Sequence, residues 1–324
     1  MNLIFMNNSI LKKFIILWYS LSFYLAMTSN SNFCIWMTME FNLMSFFILL
    51  TNKINYSTIS SLMKYFIIQS MTSSILLFLL IMKMMMTIET NTLIIITLWL
   101  KSGLFPFNYW YFQITENLDW LSWVLLNTAQ KLLPLFLWSA ILTCSSWALN
   151  CLILLNSIYA SIEIYMQSSY RWIMNCSSLN HFSWIFISFT NNNSNIWCTY
   201  YMIYTINSFL LFKIFNKFNT ISIFNLITNM NITLFIMINF VTLNFLGVPP
   251  FLGFLPKLMI LMKSMNVIMN LSLVILLMPL VLTYLMFMMP LMTKMNIIKN
   301  INNKTNKFYT SFMSLHFLMM MMYM

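Results

Sequence analysis

The sequence predicts an all-α fold, a polytopic bundle of transmembrane helices, and three observations support this prediction. The 324-residue chain is 61% hydrophobic and only 6% charged, with a mean hydropathy of +0.82, whereas soluble domains contain about 25% charged residues. Its apolar stretches approach the roughly 20 residues that a helix needs to cross a bilayer. No long polar block separates these stretches, so we interpret residues 1–324 as a single transmembrane domain.

Hydropathy predicts eleven spans, each an apolar segment bounded by polar residues. The first eight cover residues 10–27, 33–50, 57–82, 90–112, 121–142, 147–167, 172–189 and 196–212. The ninth extends over residues 231–262, which is too long for one straight crossing, and the last two cover residues 267–289 and 308–324. The fourth and the ninth spans each contain a Gly/Pro interruption and a lysine. Paired broken helices of this kind are typical of inverted-repeat transporters, whose ion sites lie at the breaks.

The predicted helix breaks are marked by Pro106, Gly247, Pro249 and Pro250. Proline has no N–H, so a helix that continued through Pro106 would leave one backbone carbonyl without its donor. Inside a bilayer such a carbonyl is tolerated only where protein or a water-filled cavity satisfies it. The breaks therefore predict a hydrated path through the bundle rather than a simple membrane anchor.

Five ionisable side chains fall inside the predicted spans: Glu40, Lys64, Lys101, Lys131 and Lys257. A charge at the centre of a membrane helix costs about 2.5–3.5 kcal/mol, so these groups must face the interior, pair with one another or contact water. Lys101, Lys131 and Lys257 each lie beside a proline. Because ionisable groups separated by water can pass protons from one to the next, we predict that Glu40 and these three lysines form a proton relay.

Two further candidates for the relay each have a second interpretation. Lys64 is within two turns of the start of its span, so it either joins the relay or extends its ammonium group to the membrane surface. His181 is the histidine of the seventh span. It either takes part in proton transfer or is a packed core residue.

Several classes of function find no supporting residues in the sequence. The net charge of +11 comes from lysines scattered singly along the chain, which does not indicate a nucleic-acid surface. The five cysteines form no CxxC or Cys/His cluster, so we expect packed thiols and no metal site. Two histidines are too few for a pair of bis-histidine haems, and no GxGxxG or Walker A motif occurs. We therefore expect no cofactor bound by this chain.

The basic residues in the connecting segments predict the orientation of the chain. If the spans alternate, one side of the membrane collects Lys12, Lys13, Lys53, Arg171, Lys213, Lys217, Lys294, Lys299, Lys304 and Lys307. The other side has Lys83 and Lys263. The positive-inside rule then places the N-terminus in the compartment of synthesis and the C-terminus on the opposite side. Frequent Met and Phe, with only 3 Gly, favour AT-rich codons and indicate an organellar gene.

Five segments of the chain resemble, in the same order, the motifs of one protein family. They are WMTMEFNLMSF, LKSGLFPFNYW, NTAQKLLP, YRWIMNCSSLNHFSW and FLGVPPFLGFLPK. These segments are similar to motifs of the chain 2 family of mitochondrial NADH:ubiquinone oxidoreductase, respiratory complex I. The chain departs from the family pattern at Asn108, Gln113 and Trp172, where the family has a histidine, an acidic residue and a lysine.

The resemblance implies an antiporter-like core subunit of the membrane arm, which relays protons across the mitochondrial inner membrane while quinone is reduced elsewhere in the complex. By matching position, Glu40 and Lys101 would be the input pair, Lys131 the middle carrier and Lys257 the exit-side group. The subunit would belong to a proton-translocating NADH:ubiquinone reductase without performing redox chemistry itself.

The resemblance also implies partners and location. Other membrane-arm subunits and phospholipids would surround the chain, while NADH, FMN, iron–sulfur clusters and ubiquinone would bind elsewhere in the complex. The N-terminus would face the matrix and the C-terminus the intermembrane space. The residues alone leave two alternatives open, a stand-alone cation/proton antiporter and a purely structural membrane subunit.

Overall fold

The computed structural model describes residues 9–29, 31–51, 56–85, 90–141, 147–166, 169–190, 194–218, 240–245, 247 and 251–263. In these ranges the regular elements are eleven named helices and a short helical segment at residues 240–245. The helices are α1 (Ser9–Thr28), α2 (Asn32–Leu50), α3 (Tyr56–Met85), α4 (Asn91–Ser102), α5 (Tyr109–Asn117), α6 (Trp120–Asn127), α7 (Ala129–Ile141), α8 (Trp147–Met166), α9 (Tyr170–Thr190), α10 (Ser194–Phe218) and α11 (Phe254–Lys263). The all-α prediction is confirmed.

Not every predicted feature can be compared with the structure. The last two predicted spans, Pro249 and Pro250 lie outside the described residues. Within the described ranges, three helical stretches are long and apolar enough to cross a membrane: Asn32–Leu50, Thr58–Met85 and Trp120–Ile141. Shorter apolar helices occur at Lys13–Thr28, Asn91–Ser102 and Leu149–Ile164.

Helix α9 lies at the centre of the described bundle. It packs against α5, α8, α10 and α11, and all its residues from 173 to 189 are buried. A helix enclosed by protein can carry polar side chains without exposing them to hydrocarbon. Accordingly, α9 buries Asn175, Ser178, His181 and Ser183 in the middle of the bundle.

Helix α7 joins the N-terminal helices to this centre. It packs against α1, α2, α4 and α6. The rings of Trp99 on α4 and Trp138 on α7 both lie 4.9 Å from that of Phe186 on α9, measured between centroids. This aromatic contact brings together α4 and α7, the two helices that carry Lys101 and Lys131.

The interruption predicted in the fourth span is confirmed, although a glycine rather than the proline ends the helix. Helix α4 stops at Ser102, and Gly103 adopts a left-handed conformation with φ of +68°, which favours glycine. The Gly103 N–H donates to the Leu100 carbonyl. Past the break, the Phe105 N–H donates to the Asn156 side chain at 3.0 Å. Neighbouring helices thus satisfy backbone groups that the break releases, and Pro106 lies in the connection to α5.

The fifth span also contains a kink, which its sequence does not predict. Helices α6 and α7 meet at Thr128, whose φ and ψ are −106° and −82°, whereas Pro134 lies inside α7. The Tyr201 hydroxyl on α10 donates to the Thr128 carbonyl. Kinks form where a side chain enters the helical hydrogen-bond ladder. Pro134 predicts a disturbed helix in this span, but the kink lies before the proline, at Thr128, where a side chain from a distant helix makes its hydrogen bond.

The interruption predicted in the ninth span is confirmed in the described residues. After the helical segment at 240–245, Gly247 has a φ of +71°, and α11 begins at Phe254. The Asn244 side chain accepts a hydrogen bond from the Gly253 N–H at 2.9 Å and donates to Asn207 on α10 at 2.7 Å. These bonds hold the two halves of the broken helix together and fix the start of α11, which carries Lys257.

Candidate functional site

Glu40 and Lys101 are two buried charges that do not touch. Glu40 is half-buried on α2, and Lys101, 7% exposed, lies in the last turn of α4, where the helix carbonyls favour a cation. Among the described residues, neither Glu40 Oε1 nor Lys101 Nζ has a hydrogen-bond partner. The two groups nevertheless interact electrostatically. Since buried polar groups are normally hydrogen-bonded to protein or ordered water, this separation favours water between them.

Lys101 and Lys131 line the same cavity. The polar lining of this cavity includes Tyr65, Gln69 and Gln130. The space open to water is about 20 Å³, which is room for about one water molecule. The cavity places two lysines from different helices on one short interior path.

Gln130 organises the polar side of this cavity. Its carbonyl oxygen accepts a hydrogen bond from the Tyr65 hydroxyl at 3.1 Å. Its amide donates to Asn42 at 2.8 Å and to the Tyr19 hydroxyl at 3.3 Å. One glutamine thus ties α7 to α1, α2 and α3. The prediction missed Gln130, although a glutamine directly before Lys131 in an apolar segment was a usable signal.

Lys131 is held by one oxygen atom and two aromatic rings. The residue is 3% exposed, and its Nζ donates to Ser178 Oγ at 3.4 Å. The Nζ also lies 4.2 Å from the ring centroid of Tyr111 and 4.5 Å from that of Phe182. Such cation–π contacts favour the ammonium form. Lys131 therefore has a defined place for its charge within the bundle.

Ser178 connects Lys131 to a wider hydrogen-bonded group. Its Oγ lies 3.1 Å from the Tyr111 hydroxyl and donates to the Asn175 carbonyl at 2.7 Å. Asn175 in turn accepts from Trp123 at 2.7 Å and donates to Thr115 at 2.5 Å. Sequence reasoning missed Ser178 and Asn175, because small polar residues are common in membrane helices and only packing distinguishes these two.

His181 and Lys257 form a second group, on α9 and α11. His181 is 8% exposed, and its Nδ1 lies 2.9 Å from the Tyr200 hydroxyl. The ring also packs edge-on against that of Phe245, with centroids 4.7 Å apart, and interacts electrostatically with Lys257. Lys257 is 3% exposed and lies against the broken helix, since a Cβ at Gly247 would be 2.8 Å from its Nζ. The break and the lysine are therefore parts of one site.

Lys64 lies apart from both groups. Its side chain is exposed, and its Nζ donates to Gln113 of α5 at 3.0 Å. With Ser61, Glu116 and Asn117 these residues line a surface pocket. The structure thus brings Glu40, Lys101 and Lys131 to one region of the interior and leaves Lys64 at the surface of the described bundle.

The residues that the structure describes contain no group of three or more His, Cys, Asp or Glu side chains that could hold a metal ion. Of the cysteines in these ranges, Cys34, Cys151, Cys176 and Cys198 are free thiols. The ionisable and hydroxyl side chains gathered in the described site are lysine, histidine, carboxylate, serine and tyrosine groups, all of which can exchange protons.

Broken helices around buried lysines are the features of an antiporter-like membrane subunit. Comparison with known proteins places the chain in the same class. Residues 79–283 match the family described as NADH:quinone oxidoreductase/Mrp antiporter, transmembrane. The solved structure of respiratory complex I from Thermus thermophilus contains a similar chain, with a TM-score of 0.75 at 16% identity, over 86% of this chain and 70% of that one. At this identity the likeness establishes the fold.

Comparison with curated relatives shows the family to which the chain belongs. NADH-ubiquinone oxidoreductase chain 2 of Anopheles gambiae is 35% identical over 258 residues, 74% of each chain. The same subunit of Aedes aegypti is 35% identical over 246 residues, 72% of this chain and 71% of that one. The chain belongs to the NADH-ubiquinone oxidoreductase chain 2 family, as its motifs predicted. It is a multi-pass membrane subunit of proton-translocating respiratory complex I, in the mitochondrial inner membrane.

Proposed function

We propose that Glu40, Lys101, Lys131 and Lys257 form the proton path of this subunit, with His181 between the last two lysines. The observation that carries the proposal is the shared cavity of Lys101 and Lys131, which joins the N-terminal helices to the centre of the bundle. The electrostatic contact between His181 and Lys257 extends the path to the second broken helix. The proposed path thus starts at Glu40 on α2, passes the first interrupted helix at Lys101 and ends at the second at Lys257.

The mechanism rests on neighbouring charges that influence one another. A change of charge at Glu40 alters the stability of the Lys101 ammonium, because the two groups interact electrostatically. Lys101 then gives its proton to water in the cavity, and a neutral Lys131 takes it up. The Tyr111 and Phe182 rings and Ser178 stabilise the new ammonium. Its positive charge favours release of a proton further along, toward Lys257.

The rest of the complex supplies what this chain does not. We propose that the whole chain 1–324 acts as one transmembrane domain among other membrane-arm subunits and phospholipids, and that NADH, FMN, iron–sulfur clusters and ubiquinone bind in other subunits. The distribution of Lys and Arg supports an N-terminus in the matrix and a C-terminus in the intermembrane space.

Replacing Lys131 tests the proposed path. In sealed vesicles that contain the assembled complex, Lys131→Met should slow proton translocation coupled to quinone reduction by at least about tenfold, because loss of a proton-transferring group typically costs 10²–10⁴ in rate. Lys213→Met is the matched control, since Lys213 is an exposed lysine on α10. Wild-type translocation in an assembled Lys131→Met complex would rule out Lys131 as a carrier.

A further inference from the structure

Two hydrogen-bonded groups face each other inside the bundle, and Tyr204 lies between them. The group around Lys131 reaches Ser178, whose Oγ accepts from the lysine at 3.4 Å. The group around His181 includes the Tyr200 hydroxyl at 2.9 Å. Tyr204 on α10 is adjacent to Ser178, and its ring centroid lies 5.2 Å from that of His181. It is therefore a side chain with neighbours in both groups.

The Tyr204 hydroxyl is buried without a well-aligned hydrogen bond to any described residue, as is Lys101 Nζ at the start of the proposed path. The residue is only 2% exposed, and leaving a buried hydroxyl unsatisfied costs about 1–3 kcal/mol. Two other tyrosines on α10 are satisfied, since Tyr200 bonds His181 and Tyr201 bonds the Thr128 carbonyl. An unsatisfied group at this position calls for a partner that changes, such as a mobile water or a moving proton.

Packing restricts what Tyr204 can do. Its ring lies between Phe182 and Phe245, at centroid distances of 5.9 and 5.7 Å, and also contacts His181. A ring enclosed in this way keeps its position while the hydroxyl hydrogen rotates about the C–O bond. The hydroxyl hydrogen can therefore turn toward Ser178 or away from it without movement of the helix.

We propose that the Tyr204 hydroxyl is the proton-relay group that carries protons from the Lys131 and Ser178 side to the His181 and Lys257 side. This inference rests on the proposed function and names the group that completes its middle step. The Lys131 ammonium passes a proton to Ser178 Oγ as the serine's own proton moves to Tyr204. At Tyr204 one O–H bond forms and another breaks, and the released proton passes to the His181 group, directly or through water. Lys257 is the final acceptor, and both hydroxyls end neutral.

Tyr204→Phe in the assembled complex tests this step because it removes the oxygen and keeps the ring. Quinone-coupled proton translocation in sealed vesicles should fall by at least about tenfold, within the range for loss of a proton-transferring group. The ratio of rates in H₂O and D₂O should rise, which a purely structural role would not cause. The matched control is Tyr170→Phe, a buried tyrosine on α9 whose ring packs on Phe215 at 5.3 Å, and it should retain the wild-type rate.

The outcomes separate this inference from the proposed path. A slow Lys131→Met complex together with a wild-type Tyr204→Phe complex overturns the role of Tyr204 and leaves the path intact. Wild-type rates in both variants overturn the path and this inference together. If Tyr204→Phe fails to assemble, a high-resolution map of the wild-type complex decides. Ordered water bonded to the Tyr204 hydroxyl on the His181 side supports the relay, and closely packed apolar groups there overturn it.

Discussion

The lysines of the proposed path differ in how the protein holds their charge. Lys131 has Ser178 and two aromatic rings as neighbours, whereas Lys101 Nζ has no hydrogen-bond partner among the described residues. Burial disfavours an ammonium ion, and specific contacts offset that effect. The two lysines therefore stabilise an ammonium by different means: Lys101 through the charge of Glu40 and the end of α4, and Lys131 through Ser178 and two aromatic rings.

At the second break, Gly247→Ala should impair both assembly and proton translocation. The added Cβ would lie 2.8 Å from Lys257 Nζ and 2.8 Å from the Gly253 carbonyl oxygen. The left-handed backbone adds about 1–2 kcal/mol of strain for a residue with a Cβ. Thermal denaturation of the assembled complex and translocation in vesicles measure the two effects.

A suitable control for this change is Leu252→Ala, because Leu252 lies in the same break and is mostly exposed. It should leave translocation unchanged. If Gly247→Ala also translocates protons at the wild-type rate, the position of the Lys257 ammonium against Gly247 is not important for transfer.

Gln130→Leu should destabilise the polar side of the cavity. The change keeps the approximate volume but removes the bonds to Tyr65, Asn42 and Tyr19. Each buried group left without a partner costs about 1–3 kcal/mol, so the melting temperature of the subunit in the complex should fall. Gln113→Leu, which removes a bond at the surface, should have a smaller effect. Equal effects of the two changes would show that the Gln130 bonds add little stability.

The contrast between the lysines and their neighbours shows what the sequence could predict at this scale. A charge inside an apolar segment is costly, so a lysine there can be recognised as a candidate from the sequence alone. Lys101, Lys131 and Lys257 were predicted in this way. A serine such as Ser178 costs little in any helix, because its hydroxyl bonds a carbonyl one turn back, as Ser178 does with Asn175. Only the packing of α9 against α5 and α7 reveals that it also contacts Lys131.

At the scale of helices, the two Gly/Pro breaks were predictable and the kink at Thr128 was not. Glycine and proline act locally, so Gly103 and Gly247 mark their breaks in the sequence. The kink lies where the Tyr201 hydroxyl meets the Thr128 carbonyl, a contact that forms only after α10 has packed on α6. A local pattern cannot contain a contact between residues so far apart in the chain.

The second broken helix provides a prediction about an element. Asn244→Ala removes the side chain that joins the Gly253 N–H to Asn207. The start of α11 should then open more often, and its backbone amides should exchange with deuterium faster. Hydrogen–deuterium exchange with mass spectrometry on the complex measures this change.

Asn117→Ala, at the exposed end of α5, is the comparison for this experiment. It should leave exchange in α11 as in the wild type. Wild-type exchange in Asn244→Ala as well would mean that packing alone, and not the asparagine bridge, fixes the start of α11.

For the whole molecule, composition and hydropathy were sufficient to predict an all-α membrane bundle, because both reflect the bilayer as solvent. They could not show which helix is enclosed by the others. Helix α9 is buried on all sides over residues 173–189, yet its role became clear only from its contacts with α5, α8, α10 and α11. Hydropathy measures each span separately, whereas enclosure is a property of the assembled bundle.

The proposed orientation of the molecule can be tested by labelling from each side of the membrane. Helix α3 has 30 residues and spans about 45 Å at 1.5 Å per residue, so its ends emerge on opposite faces. Its first residues lie on the side of Glu116, because Lys64 and Glu116 line one surface pocket. Arg171, one of the basic residues assigned to the matrix side, donates to the Glu116 carbonyl.

We therefore expect Glu116→Cys to react with a membrane-impermeant maleimide added from the matrix side, and Met85→Cys to react only from the intermembrane-space side. Both changes are made in a background in which the exposed Cys34 and Cys198 are replaced by serine, so that this subunit carries one exposed thiol in the described ranges, and labelling is read on the separated subunit. Detergent-solubilised complex, in which both faces are open to the reagent, should label at both positions and controls for burial under neighbouring subunits. If each position is labelled from the opposite side, the orientation of the chain is the reverse of the proposed one. Labelling of both from one side would contradict the path of α3 across the membrane.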